Sequence, residues 1–181
     1  MGILKKDFKY KKISGFLSKD EINLLRQYCI FKHVHNKNDF DFIHNKNADT
    51  FFYGDPLMES VMVTKQKLME QETGLELLPT YSFWRMYSKF SDLKKHTDRA
   101  ACECSVTVMI GSDGTPWPIY MDGEQINLLP GEAVIYSGTE VNHWREEFQG
   151  DWQAQCFIHY VDKNGPHAEW HRNKRNFLGA P

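Results

Sequence analysis

Apolar residues recur every three or four positions in two stretches of the first half of the chain, a spacing typical of amphipathic helices. Ser18 and Glu21 form a capping-box pair before the first stretch, which runs to about Ile30. Asp55 stands at the N-cap position of the second stretch, which ends towards Gly74. The apolar positions are Ile22, Leu24, Leu25 and Tyr28, and then Met58, Val61, Met62, Leu68 and Met69. We expect both helices to pack on one outer face of a sheet formed by the rest of the chain.

A different pattern begins near residue 80, where apolar and polar residues alternate in short runs. The runs cover residues 80–87, 102–110, 117–121, 125–129, 133–136 and 152–161. Turn residues separate them, and Asp122-Gly123 is the dipeptide of a tight hairpin turn. Because no helical pattern lies between the runs, residues 80–162 are predicted to form an antiparallel β sandwich or barrel.

Two polar segments lie outside these patterns. Residues 31–53 contain His33 and His35, which we interpret as surface histidines of a loop because no carboxylate partner is placed beside them. A long loop that carries aromatic residues predicts a substrate lid or a strand-bearing insert. Residues 163–181 are a polar tail that either folds back over the strands or frays.

Candidate chemistry is concentrated at His96-Thr97-Asp98 and at His143. Two side chains that are two positions apart at the end of a strand can both bind one metal ion. A third ligand from a distant strand then completes one face of the ion's coordination sphere. Two imidazoles and one carboxylate suit Fe(II) and leave coordination positions open for a co-substrate and O₂. An open site can activate a ligand, whereas a closed one only holds the metal. We therefore predict a facial metal triad of His96, Asp98 and His143.

Three segments carry a resemblance to a known family. Tyr87-x8-His96-x-Asp98 is similar to the tyrosine strand and His-x-Asp motif in the prolyl-hydroxylase-like branch of the Fe(II)/2-oxoglutarate-dependent dioxygenases. Residues 130–136 resemble the strand before that family's distal histidine, and the next histidine falls where the distal one is expected. Residues 13–21 resemble the strand-then-helix opening of those enzymes. The resemblance implies that Tyr87 hydrogen-bonds the 2-oxoglutarate carboxylate.

The resemblance also implies a fold and a reaction. The fold is mainly β with α, a double-stranded β-helix (jelly roll) core at residues 80–162 within a single domain, 1–181. Residues 1–79 supply a supporting strand and helices, and residues 163–181 the tail. The reaction is hydroxylation with Fe(II), 2-oxoglutarate and O₂, which releases succinate and CO₂. Asp98 favours hydroxylation over halogenation, since related halogenases lack the carboxylate. The substrate of such an enzyme is a peptide side chain or a small metabolite.

One position departs from the family pattern. The family commonly places Arg or Lys about ten residues after the distal histidine, where its charge pairs with the distal carboxylate of 2-oxoglutarate. This chain has Gln153 there, so another cation should compensate. Strand parity favours Arg85 or Arg99, and then Arg145. His159 shares a face with Gln153 and is expected in the pocket, as a polar group or as a cation if its pKa is raised. The residues expected at 2-oxoglutarate are Tyr87, Arg85, Arg99, Arg145, Gln153 and His159.

Composition restricts the class of partner. The chain has 181 residues, is 41% hydrophobic and carries a net charge of −2, which gives no general attraction to nucleic acid or anionic membranes. It has no apolar run of membrane-spanning length and no signal-peptide core. Four cysteines, Cys29, Cys102, Cys104 and Cys156, lie in apolar segments and are typical of reduced core residues in a cytoplasmic protein.

Two other functions fit the same residues. In one, the barrel is a cupin-like metalloprotein that binds or isomerises a small molecule without 2-oxoglutarate, which Gln153 favours. In the other, the jelly roll is a binding module, and His96 and His143 are ordinary polar residues of its core. Metal binding without 2-oxoglutarate affinity identifies the first, and the loss of both identifies the second.

Overall fold

The computed structural model describes residues 8–36 and 49–180, which contain two α-helices and ten β-strands. The helices are α1 (Lys19–Asn36) and α2 (Pro56–Thr73), and 3₁₀ segments cover Ala100–Cys102 and Ala168–Lys174. The strands are β1 (Tyr10–Ile13), β2 (Thr50–Tyr53), β3 (Leu77–Ser88), β4 (Leu93–His96), β5 (Cys104–Ser112), β6 (Ile119–Met121), β7 (Glu124–Ile126), β8 (Ala133–Ser137), β9 (His143–Arg145) and β10 (Trp152–Asp162).

The strands form two antiparallel sheets. The larger sheet has the order β1-β8-β5-β10-β3-β2, and the smaller has the order β4-β9-β6-β7. β10 lies between β5 and β3 and pairs with both. All four strands of the smaller sheet lie between β3 and β10 in the sequence. A mainly β fold with supporting helices was predicted, and the architecture agrees with it.

α2 begins and ends at the residues that the sequence indicates. The carboxylate of Asp55 accepts hydrogen bonds from the backbone N–H groups of Leu57 at 3.0 Å and Met58 at 3.3 Å. Gly74 follows the helix with a φ of 73°, and its N–H donates to the Glu70 carbonyl at 2.8 Å. A residue with a side chain is strained in this left-handed conformation, so glycine ends the helix here.

α1 is longer than predicted. The capping box is formed, since the Ser18 N–H donates to the Glu21 carboxylate at 2.7 Å and the Glu21 N–H donates to the Ser18 hydroxyl at 3.2 Å. The helix then continues past Ile30, because no glycine or proline follows to stop it. His33 and His35 therefore lie in its last turn and not in a loop. Neither this helix nor any other that the structure describes is long and apolar enough to cross a membrane.

Both helices cover the outer face of the larger sheet. The side chains of Leu25 and Cys29 from α1 meet those of Met58, Met62 and Met69 from α2 in one apolar cluster. The sheet contributes Trp84, Met86, Val106, Val108, Ile110, Ala154, Cys156 and Ile158 to the same cluster. The helices therefore brace the sheet whose opposite face carries the candidate site.

Part of the segment predicted as a lid or insert is a strand. β2 pairs with β3, with Thr50 opposite Met86 and Tyr53 opposite Phe83. Its strand character comes from this pairing and not from an alternating pattern of its own. Residues 37–48, which include Phe40-Asp41-Phe42 and His44, lie outside the described residues, so the lid stays a prediction.

The C-terminal tail folds back onto the domain. Arg175 pairs with Glu59 of α2 at 2.5 Å, and both side chains are largely buried. The same guanidinium donates to the Thr80 carbonyl at 3.1 Å, and the Gly179 N–H also donates to Glu59. Of the two alternatives for the tail, packing over the strands is the observed one.

Candidate metal centre and its pocket

β4 and β9 bring two histidines together. His96 ends β4, His143 begins β9, and the two are partners in the register of the smaller sheet, with ring centroids 4.3 Å apart. Asp98 follows β4, and its N–H donates to the Gly138 carbonyl at 2.7 Å. A Cβ at residue 138 would stand 2.7 Å from the Asp98 carboxylate and 2.0 Å from the Cys102 carbonyl. Only glycine therefore allows this close approach.

Backbone hydrogen bonds orient both imidazoles. Nδ1 of His96 lies 2.6 Å from the Lys94 carbonyl oxygen. Nδ1 of His143 lies 3.0 Å from the Val141 carbonyl oxygen. Because a carbonyl oxygen can only accept, the proton is on Nδ1 and each Nε2 keeps its lone pair. Both Nε2 atoms lie 3.6 Å from Oδ1 of Asp98, so the three ligand atoms face a common point.

The second oxygen of Asp98 is held by a hydroxyl group. Oγ of Ser105 lies 3.2 Å from Oδ2 of Asp98, 2.9 Å from the Cys102 carbonyl oxygen and 2.7 Å from Nδ1 of His159. Burial lowers the pKa of His159 to about 4, so its ring is neutral at physiological pH. Of the two alternatives for His159, the lowered pKa favours the neutral polar group. The neutral ring contacts Ser105, which neighbours Asp98.

Burial and charge set the protonation of the three candidate ligands. Hydrogen bonding to Asp98 raises the pKa of His96, whereas burial lowers the pKa of His143. Burial opposes ionisation of Asp98, but hydrogen bonding to His96 lowers the pKa of this carboxyl, as do His159 and His143 when they are protonated in the acidic range where a carboxyl titrates. An ionised Asp98 and a neutral His143 are the forms that coordinate a metal.

The three side chains lie in the wall of a cavity of about 330 Å³, a volume in the range of small-molecule sites. The lining residues are Tyr53, Tyr81, Phe83, Arg85, Tyr87, Leu93, His96, Asp98, Arg99, Tyr136, His143, Phe157 and His159. β3 supplies four of them at alternate positions, as expected for one face of a strand. The cavity is thus mainly aromatic, with the candidate metal ligands and two arginines as its charged groups.

Arg85 lines this cavity, but its charge is already compensated. It forms an ion pair with Asp49, a fully buried carboxylate, and its guanidinium lies 4.3 Å from the centroid of the Tyr87 ring. Asp49 also accepts from the hydroxyl groups of Ser88 at 2.7 Å and Ser91 at 2.6 Å. Arg85 is therefore not free to take the place of the Arg or Lys that the family commonly has where this chain has Gln153.

Arg145 is buried and has no carboxylate partner among the described residues. It is 2% exposed, and its guanidinium donates to the Trp117 carbonyl and lies 4.8 Å from the centroid of the Trp117 ring. Its Nε has no hydrogen-bond partner in the part of the chain that the structure describes. Burial lowers its pKa to about 10, which still leaves it charged at neutral pH. A buried cation without a counter-ion is costly, so an anion should bind there.

Two buried glutamines lie beside Arg145. When the Gln155 amide nitrogen donates to the Val108 carbonyl at 2.9 Å, its oxygen accepts from Arg145 at 3.3 Å and from Gln153 at 2.8 Å. These neutral groups orient the guanidinium without compensating its charge. Gln153 and Arg145 thus belong to one hydrogen-bond network that is joined through Gln155.

Arg99 lies at the edge of the cavity and is exposed. Its Nη2 donates to the Asn173 side chain at 2.9 Å. The guanidinium lies 5.0 Å from the ring centroid of Tyr81 and 5.5 Å from that of Trp170. Arg99 is therefore held by side chains from β3 and from the C-terminal tail, away from the buried network of Arg145.

Sequence reasoning missed several residues of the site. Tyr136 is fully buried, lines the cavity and has its ring centroid 4.8 Å from that of His143. Alternation along β8 places it opposite Ile135, so the pattern could have pointed to it once the inner face was known. Asp49 lies in a stretch without a pattern, and only tertiary structure reveals its pairing with Arg85.

Cys102 forms a second cluster of potential metal ligands with Asp98 and His159. Its sulfur lies 3.0 Å from the Tyr81 hydroxyl. Burial raises the pKa of this thiol to about 12, so it stays protonated and is a poor ligand. The triad of His96, Asp98 and His143 remains the better candidate.

No protein-family model and no curated protein matches this sequence. Solved structures do match it. The viral collagen prolyl hydroxylase of Paramecium bursaria Chlorella virus-1, in complex with 2-oxoglutarate, has a TM-score of 0.65 and 13% identity over 88% of this chain and 98% of that one. A prolyl-4-hydroxylase of Pseudomonas putida has a TM-score of 0.63 and 16% identity over 86% and 94% of the two chains.

HygX from Streptomyces hygroscopicus, with nickel and 2-oxoglutarate bound, has a TM-score of 0.66 and 8% identity over 87% of this chain and 84% of that one. These neighbours include Fe(II)/2-oxoglutarate oxygenases and prolyl hydroxylases, so the resemblance read from the sequence is confirmed for the fold. At such low identities the likeness concerns the fold, and the activity has to be argued from the site.

Proposed function

We propose that this chain is an Fe(II)- and 2-oxoglutarate-dependent oxygenase that hydroxylates a small metabolite or a peptide side chain, with release of succinate and CO₂. The observation that carries the proposal is a buried cation, Arg145, two residues after His143 on β9, although Arg145 is not among the residues that line the cavity of the triad. A metal needs only the triad. A dicarboxylate co-substrate also needs a cation for its far end, and Arg145 is a buried one without a carboxylate partner in the described residues.

The donor set fits Fe(II). His96 and His143 would each contribute an unprotonated Nε2, and Asp98 would contribute Oδ1, while Ser105 holds the other carboxylate oxygen. Two nitrogen atoms and one oxygen atom on one side of an ion leave the other side open, which suits a metal that activates O₂ for hydroxylation. The carboxylate of Asp98 occupies the position that halogenases leave to a halide.

The guanidinium of Arg145 fits the distal carboxylate of 2-oxoglutarate. We assign Arg145 as the partner of its distal carboxylate. Arg145 would take the role of the Arg or Lys that the family commonly has at the position of Gln153. Arg145 does not line the cavity itself, but its pKa responds to Tyr87 and Tyr136, two residues that do line it. A carboxylate that pairs with this guanidinium would satisfy Nε and remove the cost of an isolated buried charge. Tyr87 and Gln153 would add hydrogen bonds.

The rest of the cavity orients the substrate and excludes water. Phe83 and Phe157 pack with their ring centroids 6.3 Å apart, and the tilted rings of Tyr81 and His159 have centroids 4.6 Å apart. These rings give the reacting carbon an apolar environment. Ser105 would help to orient the Asp98 carboxylate, and ligand orientation of this kind is worth roughly tenfold to a hundredfold in metal affinity.

We further propose that the two sheets form a double-stranded β-helix centred on residues 80–162, within a single domain that spans residues 1–181. The likeness to the two prolyl hydroxylases, which covers most of each chain, supports this description. Cys29, Cys102, Cys104 and Cys156 are all buried and unpaired, which supports the assignment to the cytoplasm.

The decisive test is anaerobic titration of the Fe(II)-loaded protein with 2-oxoglutarate, followed through the weak visible charge-transfer band of the chelate. We expect the band in the wild type and its loss in Asp98→Ala, because the variant lacks one metal ligand. Asp151→Ala removes an exposed carboxylate outside the cavity and should keep the band.

A positive result justifies a substrate screen by succinate release. If the wild type binds Fe(II) in a 1:1 ratio but shows neither the band nor any affinity for 2-oxoglutarate, the cupin-like alternative replaces the oxygenase. If neither metal nor 2-oxoglutarate binds, the fold serves as a binding module.

A further inference from the structure

Arg99 is a cation at the mouth of the cavity whose charge no described carboxylate compensates. The two cations that line the cavity are Arg85 and Arg99. Arg85 forms its ion pair with Asp49, whereas the polar contact of Arg99 is with a neutral amide, that of Asn173. The lining carboxylate is Asp98, and in the proposed function its charge is directed to the metal. The mouth of the cavity therefore carries one positive charge available to a ligand.

The position of Arg99 is fixed by aromatic rings on two elements. Tyr81 belongs to β3 and Trp170 belongs to the tail, and the guanidinium contacts both rings. Such contacts hold the planar group without neutralising it, so its N–H donors stay available at the rim. An arginine held in this way differs from one that moves freely in solvent, because little side-chain entropy is lost when it binds an anion.

Three residues of the C-terminal tail near Arg99 adopt an unfavourable backbone conformation. Arg172, Asn173 and Lys174 all have positive φ values, between 53° and 63°, and none is glycine. Consecutive left-handed residues are rare and persist where the surroundings enforce them. The surroundings here are the anchored Arg175 on one side and the Asn173 amide on the other, which bonds to both Tyr53 and Arg99.

The walls behind Arg99 are apolar. Tyr81, Phe83 and Phe157 present aromatic rings to the cavity, and its volume of about 330 Å³ suits a small molecule. A ligand that fits both features has a flat, apolar body and an anionic group at the end that faces the solvent.

We propose that Arg99, positioned by Trp170 and Asn173, recognises the anionic group of the substrate, which is a small carboxylate or phosphate ester with an apolar, ring-like body. The inference rests on the proposed function and specifies its substrate class. Arg99 is the specificity-determining residue, and Asn173 is a positioning residue that acts through it. In the proposed function the buried Arg145, which is not among the residues that line the cavity, serves the co-substrate, so the two arginines bind different anions.

The test compares benzoate with benzamide, which share a ring and differ in charge. Binding is measured by tryptophan fluorescence on Zn(II)-loaded protein saturated with 2-oxoglutarate, so that Arg145 is occupied. We expect the wild type to prefer benzoate by about five- to tenfold, the range for a charge-assisted contact at a partly exposed site. Arg99→Gln should abolish the preference and leave benzamide binding unchanged. Phenyl phosphate in the same assay distinguishes a phosphate from a carboxylate preference.

Arg26→Gln is the matched control, since Arg26 is also exposed and lies 5.6 Å from the ring centroid of Trp152, but does not line the cavity. It should keep the wild-type preference. Asn173→Ala keeps the charge of Arg99 but frees the side chain, so it should lower the preference by about threefold without changing benzamide binding. Thermal unfolding of each variant checks that the fold is intact.

The proposal is overturned if the wild type binds benzoate and benzamide equally, if neither binds at millimolar concentration, or if Arg99→Gln keeps the preference. Its failure is distinguishable from failure of the oxygenase assignment. When 2-oxoglutarate does not bind but Arg99→Gln still removes the benzoate preference, the anion site stands and the assigned reaction does not. When 2-oxoglutarate binds and Arg99→Gln has no effect on the benzoate preference, the oxygenase assignment stands and the anion site at Arg99 does not.

Discussion

The two faces of β10 are equally buried and chemically opposite. Ala154, Cys156, Ile158 and Tyr160 point to the helices, and Gln153, Gln155, Phe157 and His159 point to the cavity side. The first face belongs to the apolar core shared with α1 and α2. The second carries two amides that contact Arg145, and a phenyl ring and an imidazole that line the cavity of the candidate ligands. Burial alone therefore does not identify a hydrophobic core. The partners of each buried side chain decide whether it belongs to the core or to a binding site.

The two faces contribute differently to the free energy of unfolding. Apolar burial on the helix side stabilises the domain in proportion to the area removed from water, at about 25 cal/mol per Å². Polar groups on the cavity side stabilise little even when fully hydrogen-bonded, and an unpaired one destabilises. Arg145, with its orphaned Nε, is the clearest case. We expect variants of the two faces to separate stability from ligand binding.

The largest effect is expected for Arg145→Met on the cavity side. Without the buried cation, affinity for 2-oxoglutarate should fall roughly a hundredfold to a thousandfold, while the free energy of unfolding stays unchanged or rises because an uncompensated charge is gone. Titration of the Fe(II)-loaded protein and urea unfolding measure the two quantities. Arg26→Met, an exposed arginine outside the cavity, is the control. Unchanged 2-oxoglutarate affinity would remove Arg145 from the co-substrate site.

Ile158→Ala tests the opposite face of the same strand. This side chain is fully buried against the helices, so its truncation should lower the free energy of unfolding by about 3 kcal/mol. Affinity for 2-oxoglutarate at low temperature should stay within a factor of about two, because the residue points away from the site. Leu24→Ala removes an exposed apolar side chain and should change stability little. A marked loss of 2-oxoglutarate binding would show that the two faces are coupled.

The smallest effect concerns pH. The pKa of His159 is about 4, below its ordinary 6.5, so the unfolded chain takes up a proton at this residue before the folded protein does. Its stabilising contribution is complete above pH 6.5 and is lost as the pH falls towards 4. Between these values the metal-free wild type should lose roughly 2 kcal/mol more than His159→Gln in urea unfolding. Parallel pH profiles would contradict a neutral, buried His159.

Local patterns predicted the elements that depend on local physics. α2 lies between the expected Asp55 and Gly74 because capping and left-handed backbone preferences act within a few residues. The hairpin turn at Asp122-Gly123 has positive φ at both residues for the same reason. β4 was not predicted, and β2 was expected only as one of two alternatives for residues 31–53, since each is a strand only because of the neighbour with which it pairs.

The sequence by itself determined the candidate metal ligands and the fold class. A His-x-Asp motif, a distal histidine and alternating strands are short-range chemical patterns, and they were sufficient to expect one site. The proposal of Arg145 over Arg85 as the cation for 2-oxoglutarate depends on tertiary structure, which shows the ion pair between Arg85 and Asp49 and no carboxylate partner of Arg145 among the described residues. Strand parity places Arg85 and Arg145 on inner faces but does not reveal counter-charges, and Asp49, which neutralises Arg85, lies 36 residues away in the chain. Charge compensation depends on distance in space, and that distance exists only once the chain has folded.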